Sequence, residues 1–330
     1  MNPKEKLVKF LEDKHNARVQ GNNKWYKLQC PFCGDSPNPN TTHFNIRISP
    51  EDNYMVKKCF QPHCTASGVL TQQDLIHMGL SDPEVLNFVS KKTKENKKIV
   101  SKINSTKLNL TLPDNPHKIV SDYFLKRTNE KLNKENIKRF RVVSNITKFY
   151  EDNKDKIEYS KRIGMLRNKE GEKYHYIGFI NETGTFLHVR SIDDRKIKHM
   201  KIPLVNLPFY VNHQPYSLKN NFNIKKKMYG YLGEGIFDVI NALLYFNDPG
   251  FYVQTGTANG FFSQFKTFSK YYYNVQWVVL KDEDVNISLF KKLKSIYDYR
   301  FKDDLIVISN EASKDIGDFS KPIKIKKIKI

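Results

Sequence analysis

Four cysteines constrain this chain more than any other feature. Cys30-Pro-Phe-Cys33 and Cys59-Phe-Gln-Pro-His63-Cys64 form two close pairs on either side of residues 34–58, and the sequence holds no further cysteine. Two loops that each present a pair of soft ligands, with a strand-rich stretch between them, are the pattern of a structural zinc ribbon. In a reducing compartment one structural Zn²⁺ is the natural use of the four thiols, and no spare cysteine is left for a disulfide. The second pair has four residues between its cysteines instead of two. Cys64 is the expected fourth ligand, with His63 as the alternative. The intervening hairpin carries His43, Phe44, Arg47, Tyr54, Lys57 and Lys58. Rings interleaved with cations suit single-stranded DNA, because rings stack on bases while charges follow phosphates.

The chain has 330 residues, 39% of them hydrophobic, enough for several modules with cores of their own. Its start, Met1 to Val19, reads as a charged amphipathic helix with Leu7, Phe10 and Leu11 on one side. It lacks the apolar core and cleavage site of a secretory signal. No apolar run approaches the roughly 18–20 residues of a membrane span. The expected setting is therefore a bacterial-type cytoplasm, with no membrane partner. The formal net charge of +21 suggests a polyanionic partner, since each neutralised phosphate releases condensed counterions.

Composition and periodicity divide the chain into five parts. Residues 1–90 hold the cysteines. Residues 91–112, lysine-rich and poor in large apolar side chains, read as a flexible, self-repelling basic linker. Residues 113–227 form a basic α+β subdomain. It has helical spacing through Ile119, Tyr123, Phe124, Leu132, Ile137 and Phe140, then a hairpin of Tyr174–Ile180 and Thr185–Ser191 around the Asn-Glu-Thr-Gly turn. Residues 228–320 alternate strand and helix: strand to Gly233, helix Ile236–Phe246, strand Phe251–Gln254, helix Phe261–Lys270, strand Val275–Leu280, helix Ser288–Tyr299, strand Leu305–Ser309. Such alternation predicts a mostly parallel sheet covered by helices. Residues 321–330 read as a basic tail. The fold class is thus multidomain α+β.

Acids stand just past the strands of the last domain: Glu234 and Asp238 after the first, Asp282 and Asp284 after Val275–Leu280, Asp315 and Asp318 after the last. In an open parallel sheet the strand carboxyl ends share one edge, where ligands bind. Hard oxygen ligands gathered there suit Mg²⁺ or Mn²⁺.

The wording of these segments is more specific. GEGIFDVINAL, QTGTA, VLKDEDV and KDIGDF, in that order, resemble the Toprim domain of bacterial-type primases, topoisomerases and recombination mediators. The upstream segments CPFCGDS, HCTASGVL, SDYFLKR, NIKRFRV and GFINETGTFLHVRSIDDRKIKHMKI resemble the DNA primase branch, in particular the stand-alone primases of tailed phages. The resemblance covers nearly the whole chain. It implies a zinc-ribbon, Toprim-type enzyme that makes short RNA primers from ribonucleoside triphosphates on a single-stranded DNA template, by two-metal nucleotidyl transfer. It implies that Glu234 is the catalytic glutamate and that Asp282 and Asp284 are the metal-binding pair. Asp238, Asp315 and Asp318 take further acidic positions of the Mg²⁺ site, and Arg190 and Lys198 face nucleotide or template. No GxxxxGK[ST] loop is present, so the replicative helicase is expected to be a separate protein. The rival readings are a Toprim recombination or repair protein, or a nuclease, that binds single-stranded DNA without making primers.

Overall fold

In a computed structural model, the described residues are 1–20, 25–34, 42–48, 55–61, 64, 66–105, 107–158, 160–166, 175–193, 199–205, 215–223, 225–256, 260–269, 275–282, 284–297, 305–310 and 325–328. They separate into two compact units that meet in sequence near Thr106. The chain is a mixed α+β protein with three sheets.

The first unit opens with helix α1 (Pro3–His15). Asn2 and Glu5 form a reciprocal capping box, Pro3 takes the first helical position, and Asn16 ends the helix in the left-handed region at φ 48°. Leu7 and Leu11, one turn apart, are fully buried; each contributes about 1.5–3 kcal/mol by leaving water. Strands β1 (Arg18–Gln20), β2 (Trp25–Leu28), β3 (Phe44–Ile48), β4 (Met55–Cys59) and β5 (Ser67–Val69) make an antiparallel sheet in chain order. Its inner face, with Tyr26, Leu28, Phe44, Ile46 and Met55, packs into one core with Leu7 and Leu11 of α1. Helices α2 (Gln72–His77) and α3 (Pro83–Ser105) complete the unit.

The segment expected to be a flexible linker, 91–112, is helical over much of its length. Residues 91–105 continue α3. Val85 and Val89 anchor its first half in the core, and the buried Thr93 hydroxyl donates to the carbonyls of Val89 (2.8 Å) and Leu70 (3.0 Å). Once a helix is nucleated by packing, lysine and glutamate propagate it at little cost, so charge content alone was a poor guide. Beyond it, Leu108, Leu110 and Leu112 pack against the second unit's core, and the Leu108 N–H donates to the Thr183 carbonyl at 2.8 Å.

The second unit begins with helices α4 (Lys118–Thr128) and α5 (Lys134–Phe140), strand β6 (Val142–Val143), and helices α6 (Ile146–Asn153) and α7 (Lys161–Leu166). Val120 and Phe124 turn α4 inward, whereas Ile119, one of the residues read at helical spacing, stays exposed. Strands β7 (Tyr176–Ile180), β8 (Phe186–Ser191) and β9 (His199–Pro203) join β6 in an antiparallel sheet. The expected hairpin is present, with Ile180 opposite Leu187.

The six-stranded sheet is built from β10 (Ser217–Asn220), β11 (Met228–Gly233), β12 (Gly250–Gln254), β13 (Val275–Leu280), β14 (Ile306–Asn310) and β15 (Ile325–Ile328). Its spatial order is β10-β12-β11-β13-β14-β15. The four inner strands run parallel, and the two edges run antiparallel. Two expected boundaries move here. The sheet recruits β10 from upstream of residue 228, and the expected basic tail supplies β15, pairing Val307 with Ile328. Helix α8 (Ile236–Phe246) packs on one face, with α4, Phe140 and Phe179. Helices α9 (Gly260–Ser269) and α10 (Ser288–Tyr297) cover the other, with Phe261, Phe265, Phe290 and Leu293. From β11 the chain goes first to β12 on one side, then back to β13 on the other. The strand order therefore reverses at β11, and the carboxyl ends of β11 and β13 flank the switch point.

Candidate functional site

The first unit brings the four cysteines together. Cys30 follows β2, and the turn after it closes with the Gly34 N–H on the Cys30 carbonyl at 3.1 Å, Gly34 taking φ +71°. Cys59 ends β4 opposite Phe44, and the Cys64 N–H reaches the Gln61 carbonyl at 3.0 Å. The sulfurs of Cys30 and Cys64 are 3.7 Å apart, those of Cys33 and Cys59 3.9 Å, and all four lie within 4.8 Å of one another. These separations are far too long for disulfides. A tetrahedral metal with sulfur ligands at ~2.3 Å needs sulfur–sulfur edges of about 3.8 Å, so the group fits a metal such as zinc. Backbone N–H groups of Gln61 and Ala66 each approach a sulfur, Cys59 and Cys64 respectively, at 3.5 Å. Such outer contacts orient thiolate ligands. Burial pushes the Cys30 thiol up to about 12 and raises Cys59 as well, so without metal these sulfurs keep their protons and metal binding must release them. His63 lies outside the described residues.

The same sheet sorts the hairpin side chains by face. Phe44 is fully buried. Lys57 turns inward to an ion pair with Asp74 in the first turn of α2, both side chains 12% exposed. Burial by itself would raise the Asp74 carboxyl, but hydrogen bonds from Lys57 and Thr71 outweigh it and hold it below the usual carboxylate range. Arg47 and Lys58 are on the opposite face. Cross-strand registers put Trp25 beside Arg47, Arg18 beside Lys27, and Lys27 beside Asn45, which in turn faces Lys58. The Arg47 guanidinium lies 5.8 Å from the Trp25 ring centre, and the Lys58 ammonium 4.8 Å from that of Phe60, itself 57% exposed. Trp25, Lys27 and Arg18 were missed in the sequence, although the alternation Trp25-Tyr26-Lys27-Leu28 carries the signal. Tyr54 lies outside the described residues.

In the second unit, β11 ends at Gly233, and Glu234 stands in the turn before α8. The Gly235 N–H donates to the Asp238 carboxylate at 2.5 Å, fixing the first turn of the helix. Asp238 is 3% exposed. A side chain at residue 233 would bring its Cβ within 2.9 Å of the Asp238 Cβ, so glycine is what lets strand and helix approach. Asp282 follows β13, with the Lys281 N–H extending the pairing to the Ile308 carbonyl at 2.8 Å. Burial raises the Glu234 pKa, and the negative charges of Asp238 and then Asp284 raise it further. Glu234, Asp238 and Asp284 thus share one electrostatic neighbourhood at the switch point, with Asp282 on the same strand end. Among the described residues only the four cysteines close to metal-ligand distances. An open carboxylate edge still suits Mg²⁺, which keeps several waters and takes only one or two carboxylates beside substrate phosphates. Asp315, Asp318 and Lys198 lie outside the described residues.

Arg190, on β8, reaches toward this edge. Its Nε donates to the Tyr123 hydroxyl at 3.1 Å, and its guanidinium sits 5.6 Å from the ring centre of Phe237, three residues after Glu234. Arg127, not singled out in the sequence, lies 5.1 Å from the same ring, and its carbonyl accepts from the Asn241 amide at 3.0 Å. Its place at the end of α4, in a row of basic residues, gave no local sign of this.

The chain matches no protein-family model and no curated relative. Among the described residues no helix is long and apolar enough to cross a membrane.

Proposed function

We propose that this chain is a DNA primase: a zinc-ribbon module that engages single-stranded template, and a Toprim-type unit that joins ribonucleotides into a short primer. The carrying observation is the position of the acids. Glu234, Asp238, Asp282 and Asp284 stand at the carboxyl ends of parallel β11 and β13, where the strand order reverses, and burial with neighbouring negative charge raises Glu234. The collinear motifs upstream favour the primase branch over the other Toprim enzymes.

In this reading Asp282 and Asp284 would hold Mg²⁺ or Mn²⁺, and Asp238 serves mainly to shape the Glu234 turn through its bond to Gly235. A cation held there would supply charge neutralisation on the triphosphate and on the leaving pyrophosphate. Glu234, with its raised pKa, is suited to accept a proton from the attacking 3′-hydroxyl at near-neutral pH. Arg190, braced by Tyr123 and the Phe237 ring, offers a fixed fork of donors to phosphate oxygens. The outer sheet face of Arg18, Trp25, Lys27, Arg47 and Lys58 supplies the stacking and phosphate contacts for template.

The test is incubation of the protein with single-stranded DNA of varied sequence, ribonucleoside triphosphates and Mg²⁺. Short RNA products that need all three are the expected result. Cleaved DNA with no RNA would replace the reading by a nuclease. Tight DNA binding without either product would leave a recombination or repair protein.

A further inference from the structure

In the first unit, the end of α1 and the β1–β2 ladder border a cavity of about 510 Å³, within the size range of sites that hold small ligands. Its two walls differ in chemistry. Arg18, Lys27 and Gln29 belong to one of them. Arg18 stands opposite Lys27 in the antiparallel register. Residues two apart on a strand and partners across a ladder share a face, so both cations lie on the outer face with Trp25. The Gln29 amide donates to the Gly34 carbonyl at 3.0 Å, which ties this wall to the turn of Cys30 and Cys33. Glu12, His15 and Asn16 form the other wall.

The helix wall is rich in acceptors. Burial raises the Tyr26 hydroxyl pKa and the Glu12 charge raises it further, so the Glu12 carboxylate stands near that ring. His15 places Nε2 3.0 Å from the Met78 carbonyl. Burial lowers the His15 pKa, so at neutral pH the ring is neutral. Nε2 then carries the hydrogen that meets the carbonyl, and Nδ1 remains an acceptor. The last carbonyls of α1 add their partial negative charge. The sheet wall presents two cations. A ligand that suits both walls carries hydrogen-bond donors at one end and a negative charge at the other. A nucleotide whose base bears an exocyclic amine has that polarity; thymidine, with a carbonyl oxygen in place of the amine, does not. Beside the cavity on the outer face stands Trp25, with the Arg47 guanidinium 5.8 Å from its ring centre, where a neighbouring base can stack.

We propose that this cavity holds one unstacked nucleotide of the bound single strand and selects a base with an exocyclic amine. The Glu12 carboxylate accepts from that amine, while Arg18 and Lys27 hold the adjoining phosphate. This rests on the outer sheet face being a single-strand surface, and adds to that surface a point of base discrimination. Glu12 repels phosphate, so it contributes selectivity at some cost in affinity, whereas the two cations raise affinity for every base.

The test uses the full chain and short thymidine oligomers in which one central residue is kept, replaced by deoxycytidine, or replaced by a deoxycytidine doubly methylated on its exocyclic amine. Wild type is expected to favour the deoxycytidine oligomer over the thymidine one by roughly tenfold, the lower end for one hydrogen bond to a charged group. The methylated base, with no amine hydrogen to donate, should lose that preference. Glu12→Ala and the isosteric Glu12→Gln should bind the thymidine oligomer at least as tightly as wild type and lose most of the preference. Arg18→Met should weaken all three oligomers alike and lower the log-log salt slope by roughly 0.7. Equal binding of the three oligomers by wild type, or a preference that survives both Glu12 variants, overturns the assignment and leaves the single-strand surface standing. Weaker thymidine binding in both Glu12 variants also overturns it, because the carboxylate would then support the fold instead of meeting a base. A wild type that binds none of the oligomers removes the single-strand surface and this inference together.

Discussion

The two candidate metal sites are built in opposite ways. The thiol site is closed before any metal arrives: four sulfurs within 4.8 Å, set by turns that hydrogen-bond to their own cysteines. At the carboxylate edge the described acids are coupled through charge, and among the described residues they do not close to metal-ligand distances. The contrast follows from ligand chemistry. Neutral thiols can be packed together without repulsion and deprotonate only when metal binds, whereas carboxylates ionised at neutral pH repel and must stay apart until a cation arrives. A site whose metal would hold the fold together can be buried; under the proposed function the carboxylate edge would have to exchange substrate and pyrophosphate, and so could not be.

That contrast predicts an unequal response to metal removal. Chelation, or Cys59→Ser, should release stoichiometric zinc and unfold the first unit, a loss on the scale of the roughly 10–16 kcal/mol apparent binding free energy of structural zinc sites. Limited proteolysis should then cut within residues 1–105 while the second unit persists. Stoichiometric zinc retained after Cys64→Ser would make His63 the fourth ligand.

The closed unit also rests on a buried ion pair. Asp74→Ala strands the Lys57 ammonium and removes the carboxylate half of the α2 capping box, for an expected loss of about 3–5 kcal/mol by chemical denaturation. Because the folded Asp74 is held below its ordinary pKa, the stability it contributes is present above the unfolded carboxylate range, near pH 4. It is lost as the pH falls through the lower folded value. A wild-type acid unfolding curve that coincides with that of Asp74→Ala would remove this pair from the account.

At the open edge, function and stability should separate. Asp284→Asn and Asp282→Asn are expected to reduce primer synthesis by at least the roughly 3 kcal/mol of one aimed electrostatic contact, more than a hundredfold in rate. Melting temperature and DNA binding should change little. Near-normal synthesis in both variants would make these acids ordinary turn residues.

The smallest effect on stability is expected at Glu234. Its raised pKa means that ionisation in the folded protein is unfavourable. The stability linked to its proton is whole below the unfolded value and lost as the pH rises through the folded one. Glu234→Gln should therefore raise the metal-free melting temperature slightly near neutral pH, with no gain in strong acid, while synthesis is lost. A gain that persists in strong acid would point to a different cause.

Much of this was legible in order along the chain. The cysteine spacing predicted the thiol cluster, and the alternation from Met228 onward predicted β11 to β14 with their helices, because turn chemistry and hydrophobic period act over a few neighbouring residues. The linker was misread because the lysines of 91–105 argue for disorder locally, while what orders the helix is Val85, Val89 and Thr93 packed against distant strands. β15 was misread as tail because a lysine-rich edge strand has no pattern until β14 pairs with it.

What the sequence determined by itself was therefore the inventory: which residues can bind soft metal, which stand at strand ends, and in what order the elements come. Only the tertiary structure decided faces and neighbours. Strand pairing turned Lys57 inward and left Lys58 outside, joined Trp25 to Arg47 across a gap in sequence, and brought Arg190 to Tyr123 and the Phe237 ring. Side-chain direction in a sheet alternates with every residue, so a register set by long-range hydrophobic packing decides which cations meet a ligand.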